Sequence, residues 1–241
     1  MKDMALLKCF LMPGDIVNTR RFSSKETGIK KLEVLGAIAV INLDQMGVFG
    51  IRSDWHDHHT MMYFDDNHTF SVQPPVPKWL SLSDYCEEEV SIFRWNLVRP
   101  LRSYDVSLLY EGAEKIIRDG KGYDIGQLVD FLISSIAGYP FDDTIKWFDQ
   151  GKGRMVCSVG TASVTAYFRH KLFELTGEDL PQPFKTLNPK AWSKKFQERF
   201  NKEGHWDINR TFPACYANCL THFQNDYKLV ASFDKNGKRT G

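Results

Sequence analysis

The 241-residue sequence predicts an α+β fold, an antiparallel sheet or small barrel packed on helices with a C-terminal extension. Three observations carry this expectation. The first hundred residues hold short β-branched or aromatic runs separated by Gly, Asp, Asn and Pro. From about Ser103 the apolar residues change to helical spacing. The composition, 42% hydrophobic, 25% charged and 13% aromatic, is that of a chain that buries a core without a metal or disulfide staple.

The expected strands are Asp15 to Arg20, Leu35 to Asn42, Gly47 to Arg52, His59 to Phe64, His68 to Gln73 and Val90 to Trp95. The first helix places Leu108, Leu109, Ala113, Ile116 and Ile117 on one face and stops at Gly120. A second is expected from Ile125 to Ile136, and a third from Cys157 to Leu175 with Gly177 as its stop signal. Pro181, Pro183 and Pro189 mark an irregular stretch with one short charged helix over 189–202, and the end from Asp234 reads as a solvated tail or turn. Trp192, Phe196 and Phe200 recur at helical spacing and read as packing residues. No repeat or linker divides the chain. The expected organisation is a domain over 1–180 and a C-terminal arm or extension over 181–241 that packs on the core or extends from it.

Lys plus Arg number 31 and Asp plus Glu 30, a formal charge of +1, which offers no long-range attraction for nucleic acid. The most apolar N-terminal stretch, Met4 to Met12, is interrupted by Lys8 and is far shorter than the roughly 20 residues of a membrane span. With no cleavage signature, neither a signal peptide nor a membrane helix is expected, which points to the cytoplasm or an assembly. Five cysteines, Cys9, Cys86, Cys157, Cys215 and Cys219, are an odd number at irregular spacings and read as free thiols in a reducing compartment.

The densest polar cluster is Asp54, His56, Asp57, His58 and His59. Imidazole and carboxylate suit a metal, but strand alternation sends His58 and His59 to opposite faces, and exposed loop histidines explain His56 and His58 equally well. His59 supports a further step. If Asp65, Asp66 and Asn67 form a three-residue hairpin loop, Phe64 pairs with His68 and His59 falls directly opposite Gln73. Directly opposed side chains share a face with Cβ atoms about 5 Å apart, close enough for an amide to hold an imidazole nitrogen.

Cys157 follows the turn Gln150, Gly151, Lys152, Gly153 and Arg154 and opens a helix whose early residues, Ser158, Gly160, Thr161, Ala162, Ser163 and Ala166, are small. A thiol in a first helical turn meets the positive end of the helix dipole and unpaired backbone donors, which favour thiolate and can hold an oxyanion. A buried structural cysteine accounts for the same letters. Cys215, Cys219 and His222, with His205 upstream, have donor types that suit zinc, and two core cysteines on a packed helix explain them as well. No metal or cofactor is assigned.

Taken in order, Gly14, Asp15, Ile16 and Val17; a histidine opening a hydrophobic strand; a second strand ending in Pro74 and Pro75; Leu82 to Tyr85; Ser91 to Arg94; Tyr123 and Asp124; and Val156, Cys157 and Ser158 resemble the circularly permuted branch of the NlpC-type papain-like cysteine hydrolases. The resemblance spans about Met12 to Leu175. It implies a papain-like, circularly permuted core acting as a cysteine amidase or peptidase, with bacterial cell-wall peptides as one substrate class, through an acyl-thioenzyme. Cys157 would be nucleophile, His59 general base and Gln73 the polar third residue, with Tyr123 and Ser158 as candidate oxyanion or substrate contacts. His58 stands where the family commonly has a small residue, and Val159 where it has an acidic one. These departures support a rival expectation, a catalytically quiet papain-like module that serves as a structural or binding subunit and meets a protein partner through 181–241.

Overall fold

A computed structural model describes residues 4–20, 36, 38–43, 45–46, 57–85, 89–124, 154–184, 197, 211, 213–219, 223 and 226–241. Its centre is a six-stranded antiparallel sheet in the order β4-β3-β2-β1-β5-β8, made of β1 (Ile16–Thr19), β2 (His59–Tyr63), β3 (Thr69–Val72), β4 (Pro77–Leu80), β5 (Val90–Trp95) and β8 (Tyr227–Phe233). A separate parallel ribbon joins β6 (Gly122–Tyr123) to β7 (Arg154–Met155). Helices among the described residues include α1 (Met4–Lys8), α2 (Ser103–Asp119), α3 (Cys157–Thr176) and α4 (Pro213–Ala217), so the fold is α+β.

Strand alternation divides the sheet into two apolar faces. Ile16, Met62, Phe70, Val72, Phe93 and Trp95 pack with Leu108, Leu109 and Ala113 of α2 and Val159, Val164, Phe168 and Leu172 of α3. Val17, Met61, Tyr63, Val90, Ile92, Ala231 and Phe233 pack with Leu7 of α1 and with Leu82. At one end of the sheet the buried Asp15 carboxylate takes two hydrogen bonds from Arg94, at 2.8 and 2.7 Å.

The helix boundaries follow local chemistry. At the start of α2 the Asp105 carboxylate accepts the Arg102 backbone N–H at 2.7 Å. At the end of α3 Gly177 adopts φ 73° and donates its N–H to the Phe173 carbonyl, a left-handed cap that glycine adopts without strain. The hairpin between β2 and β3 closes as a three-residue loop. Phe64 N–H donates to the His68 carbonyl at 3.0 Å, and the Asp65 carboxylate accepts the Asn67 and His68 amides at 2.8 and 3.0 Å. Met61 pairs with Ser71, Met62 with Phe70 and Tyr63 with Thr69, the register expected from that loop.

Several elements differ from expectation. Residues 36, 38–43 and 45–46, read as a strand over Leu35 to Asn42, are helical. An apolar run this short carries no usable period, and Ile41 buries itself against the core from a helix as readily as from a strand. Strand β4, absent from the expected strands, begins on Pro77 at the sheet edge, where a missing N–H breaks no ladder. Strand β8, in the C-terminal stretch, has no counterpart among the expected strands; it pairs with β5 through Trp95–Tyr227 and Val90–Phe233, with Tyr227 and Phe233 buried. Leu180, Phe184, Tyr216 and Phe223 also sit in the core around α3. The expected strand over 47–52 and helix over 125–136 lie outside the described residues, as does the helix over 189–202 apart from Gln197.

Candidate active site

The site begins at the first residue of α3. Val156 is extended at φ −88°, ψ 165°, and the chain turns into helix at Cys157. Small residues bring this turn hard against the sheet: a Cβ added to Gly160 would stand 2.3 Å from Val72 Cγ2. The helix therefore reaches the place where β2 and β3 part. The β2–β3 register ends at Met61–Ser71, and the next amide toward the strand start, Thr60 N–H, hydrogen-bonds the Cys157 thiol.

Further donors converge on the same sulfur, namely the backbone amides of Ser158 and Cys157 and the Tyr123 hydroxyl. Tyr123 is delivered by β6, whose pairing with Met155 in β7 runs alongside the residues leading into Cys157. The thiol is 1% exposed. Burial pushes its pKa upward, and the converging donors oppose this. Burial likewise drives the Tyr123 hydroxyl well above its usual range, with the adjoining Cys157 adding to the effect.

His59 opens β2 opposite Thr19 of β1. His58 N–H also donates to the Thr19 carbonyl at 3.0 Å, so two residues of one strand oppose one of the other, as in a β-bulge. His58 is 8% exposed and is not an exposed loop residue. His59 is buried, and its Nε2 lies 2.8 Å from Ser71 Oγ. Desolvation first, and the neighbouring His58 second, hold its pKa down to about 3, so the ring is neutral at physiological pH.

Cys157 and Tyr123 are thus in contact, and the sulfur reaches the peptide that joins His59 to Thr60. Gln73 lies opposite His59 when the hairpin register is extended, but it is half-buried beyond the last β3 residue and makes no hydrogen bond among the described residues. Ser71 holds the imidazole instead. Ser158 Oγ donates to the Thr211 carbonyl, and Thr161 Oγ1, on the same turn of α3, lies 3.1 Å from the Tyr216 hydroxyl. The chain around α4 therefore covers the N-terminus of α3.

Three residues outside the expected triad shape the site. Asn18 of β1 accepts from Thr60 Oγ1 at 2.9 Å and donates to Asp57 Oδ2 and to the Pro213 carbonyl, both at 2.8 Å. Asp57 is wholly buried, receives Arg20 Nε at 2.9 Å, and gives its backbone carbonyl to Gln45 Nε2. Its carboxylate is thereby committed to Asn18 and Arg20. Ser71 is the third. Asn18 had no sequence signal, and Asp57 stood out only as an oxygen donor in the polar cluster, because residues 39 apart meet only through the fold; Ser71 could have been found two residues from Gln73 on the same strand face.

Asp54, His56, Cys86, His205 and His222 lie outside the described residues. Among the described residues no group of three or more His, Cys, Asp or Glu side chains gathers as a metal site. Cys219 Sγ accepts the Tyr227 N–H at 3.1 Å, and burial pushes its thiol up to about 12, so it is a protonated packing residue beside Cys215. Cys9, Cys157, Cys215 and Cys219 are free thiols. No described helix is long and apolar enough to cross a membrane.

No family model matches the chain, and no curated protein matches it. Among solved structures it is similar to the metalloprotein yiiX from Escherichia coli O157:H7, a DUF1105 protein, at 13% identity over 83% of this chain and 86% of that chain, with a TM-score of 0.37. A likeness that slight carries neither fold nor function across.

Proposed function

We propose that the protein is a papain-like, circularly permuted cysteine hydrolase that cleaves an amide or ester through an acyl-thioenzyme. The observation that carries this reading is the convergence of the Thr60 amide, the first amides of α3 and the Tyr123 hydroxyl on the Cys157 sulfur, at the peptide that follows His59 in the chain. In the reaction His59 takes the Cys157 proton as sulfur attacks the acyl carbon. The imidazolium returns that proton to the leaving amine or alcohol, and a water deprotonated by His59 then releases the acid. The helix N-terminus and the Cys157 backbone N–H hold the developing oxyanion. Resemblance alone supplies bacterial cell-wall peptides as the substrate class.

One observation favours a second reading, a catalytically quiet structural or binding module. Cys157 is 1% exposed, with its thiol raised by burial and the chain around Thr211 and Tyr216 laid over its helix. Iodoacetamide labelling of the full chain separates the two. A hydrolase alkylates Cys157 in a manner that depends on His59, so that His59→Ala slows it about tenfold or more. The binding-module reading holds if exposed Cys9 reacts while Cys157 stays unlabelled, or reacts equally in both proteins.

A further inference from the structure

We propose that a cavity at the Asp15 end of the sheet binds an amphiphilic monocarboxylate, its carboxylate received by Lys228 and Arg94 and its hydrocarbon part by Met12, Leu97, Val98, Leu101 and Val106. Arg94 of β5 stands directly opposite Lys228 of β8. On the other side of Arg94 the Asp15 carboxylate, just before β1, accepts its Nε at 2.8 Å and its Nη2 at 2.7 Å. Three neighbouring strands thus place one negative and two positive side chains in a row. Directly opposed like charges destabilise a sheet, and Asp15 offsets only one of the two. Its oxygens are committed to Arg94 and to the Met12 N–H, which they accept at 2.8 Å. Lys228 is exposed, and among the described residues its ammonium group meets no carboxylate within ion-pair distance. Arg94 donates through Nε and Nη2, so among the described residues Nη1 keeps its N–H groups for a further acceptor. One carboxylate matches the surplus charge.

The row opens on a cavity of about 460 Å³, within the range that takes small organic ligands. Most of its wall is apolar, and Val98 at 95% and Met12 at 55% exposure leave hydrocarbon surface in water beside the charges. A hydrocarbon chain laid against them removes that surface from water. Arg99, the remaining cation of the lining, is matched by Asp105 and Glu178, so the unmatched charge stays at the Lys228 side. A dianion exceeds this surplus, and a neutral amphiphile leaves it unmet. The cavity stands apart from Cys157. Asn18, opposite the Thr60 that meets the thiol, lies three residues along the chain from Asp15, roughly 10 Å on an extended strand. Occupancy of the cavity therefore needs no chemistry at Cys157.

The test is calorimetric titration of decanoate into the full chain, below the concentration at which decanoate aggregates. Saturable binding of one decanoate per chain is expected, with acetate, decanol and decyltrimethylammonium each about tenfold weaker or more, since each lacks the apolar or the anionic half. Lys228→Ala is expected to weaken decanoate about fivefold, as loss of a partly exposed ion pair does. Lys228→Glu weakens it roughly tenfold or more, because the reversed charge repels the carboxylate. Val98→Asp, at an exposed position of the wall, also weakens it, while Lys121→Ala, an exposed lysine elsewhere, leaves it unchanged. Lys228, Val98 and Lys121 are all exposed, so these variants keep the fold. Equal binding of decanol means apolar partition only and overturns the proposal. So does decanoate binding that Lys228→Glu leaves unchanged, or a failure of decanoate to saturate the wild type.

Discussion

Gly160 of α3 and Val72 of β3 touch so closely that a methyl group on the glycine would lie 2.3 Å from Val72 Cγ2. This contact sets the height of the Cys157 turn above the sheet. Gly160→Ala is expected to cost about 1–3 kcal/mol by overpacking and to lift the turn off Thr60. Urea unfolding measures the loss, and the double variant with Val72→Ala is expected to recover part of it, because the two sites share one contact.

The Tyr123 hydroxyl donates to the Cys157 sulfur and favours its thiolate. Tyr123→Phe is expected to move the thiol pKa further upward, because burial then acts with one fewer donor against it. The pH profile of Cys157 alkylation reads this directly: the variant curve is displaced to higher pH, with a lower rate at neutral pH.

His59 gives the protein a sensitivity to acid. Its folded pKa is about 3 against an ordinary value of 6.5, so between those values the unfolded chain binds a proton that the native state refuses. Stability is full above about pH 6.5 and falls as the pH drops toward 3. Between about pH 7 and 4.5 this one residue is expected to remove roughly 2–3 kcal/mol. Urea midpoints at both pH values check it, with His59→Asn losing correspondingly less.

Asp15 is held at one end of the sheet by two hydrogen bonds from Arg94. Arg94→Met strands that carboxylate in the interior and is expected to cost about 3–5 kcal/mol. Asp15→Asn combined with Arg94→Met is expected to be milder than Arg94→Met alone, since no buried charge then remains; thermal unfolding of both variants decides it.

Local chemistry made much of this arrangement legible from the amino acids. The bounds of β5, the start of α2 and the Gly177 cap follow from residues adjacent in the chain, and the hairpin register follows from three loop residues. What escaped depends on contacts between distant segments. Strand β8 finds β5 across more than 130 residues, as Val90 meets Phe233, and its alternation was hidden in a stretch read as an arm or extension. Within the site, Tyr123 beside Cys157 was offered by the resemblance alone, since β6 and the start of α3 meet only through the fold. The hydroxyl that holds His59 was missed because register points to the residue straight across, whereas Ser71 sits on the diagonal, where an imidazole is long enough to reach.

The most direct test of the central claim is acyl-enzyme trapping. The full chain is mixed with p-nitrophenyl acetate, quenched in acid and mapped by peptide mass spectrometry. The account predicts an acetyl group on the peptide containing Cys157, formed in the wild type, absent in Cys157→Ala and strongly reduced in His59→Ala. Acetylation that appears on Cys9 and surface lysines but not on Cys157, or on Cys157 to the same extent with and without His59, would contradict it.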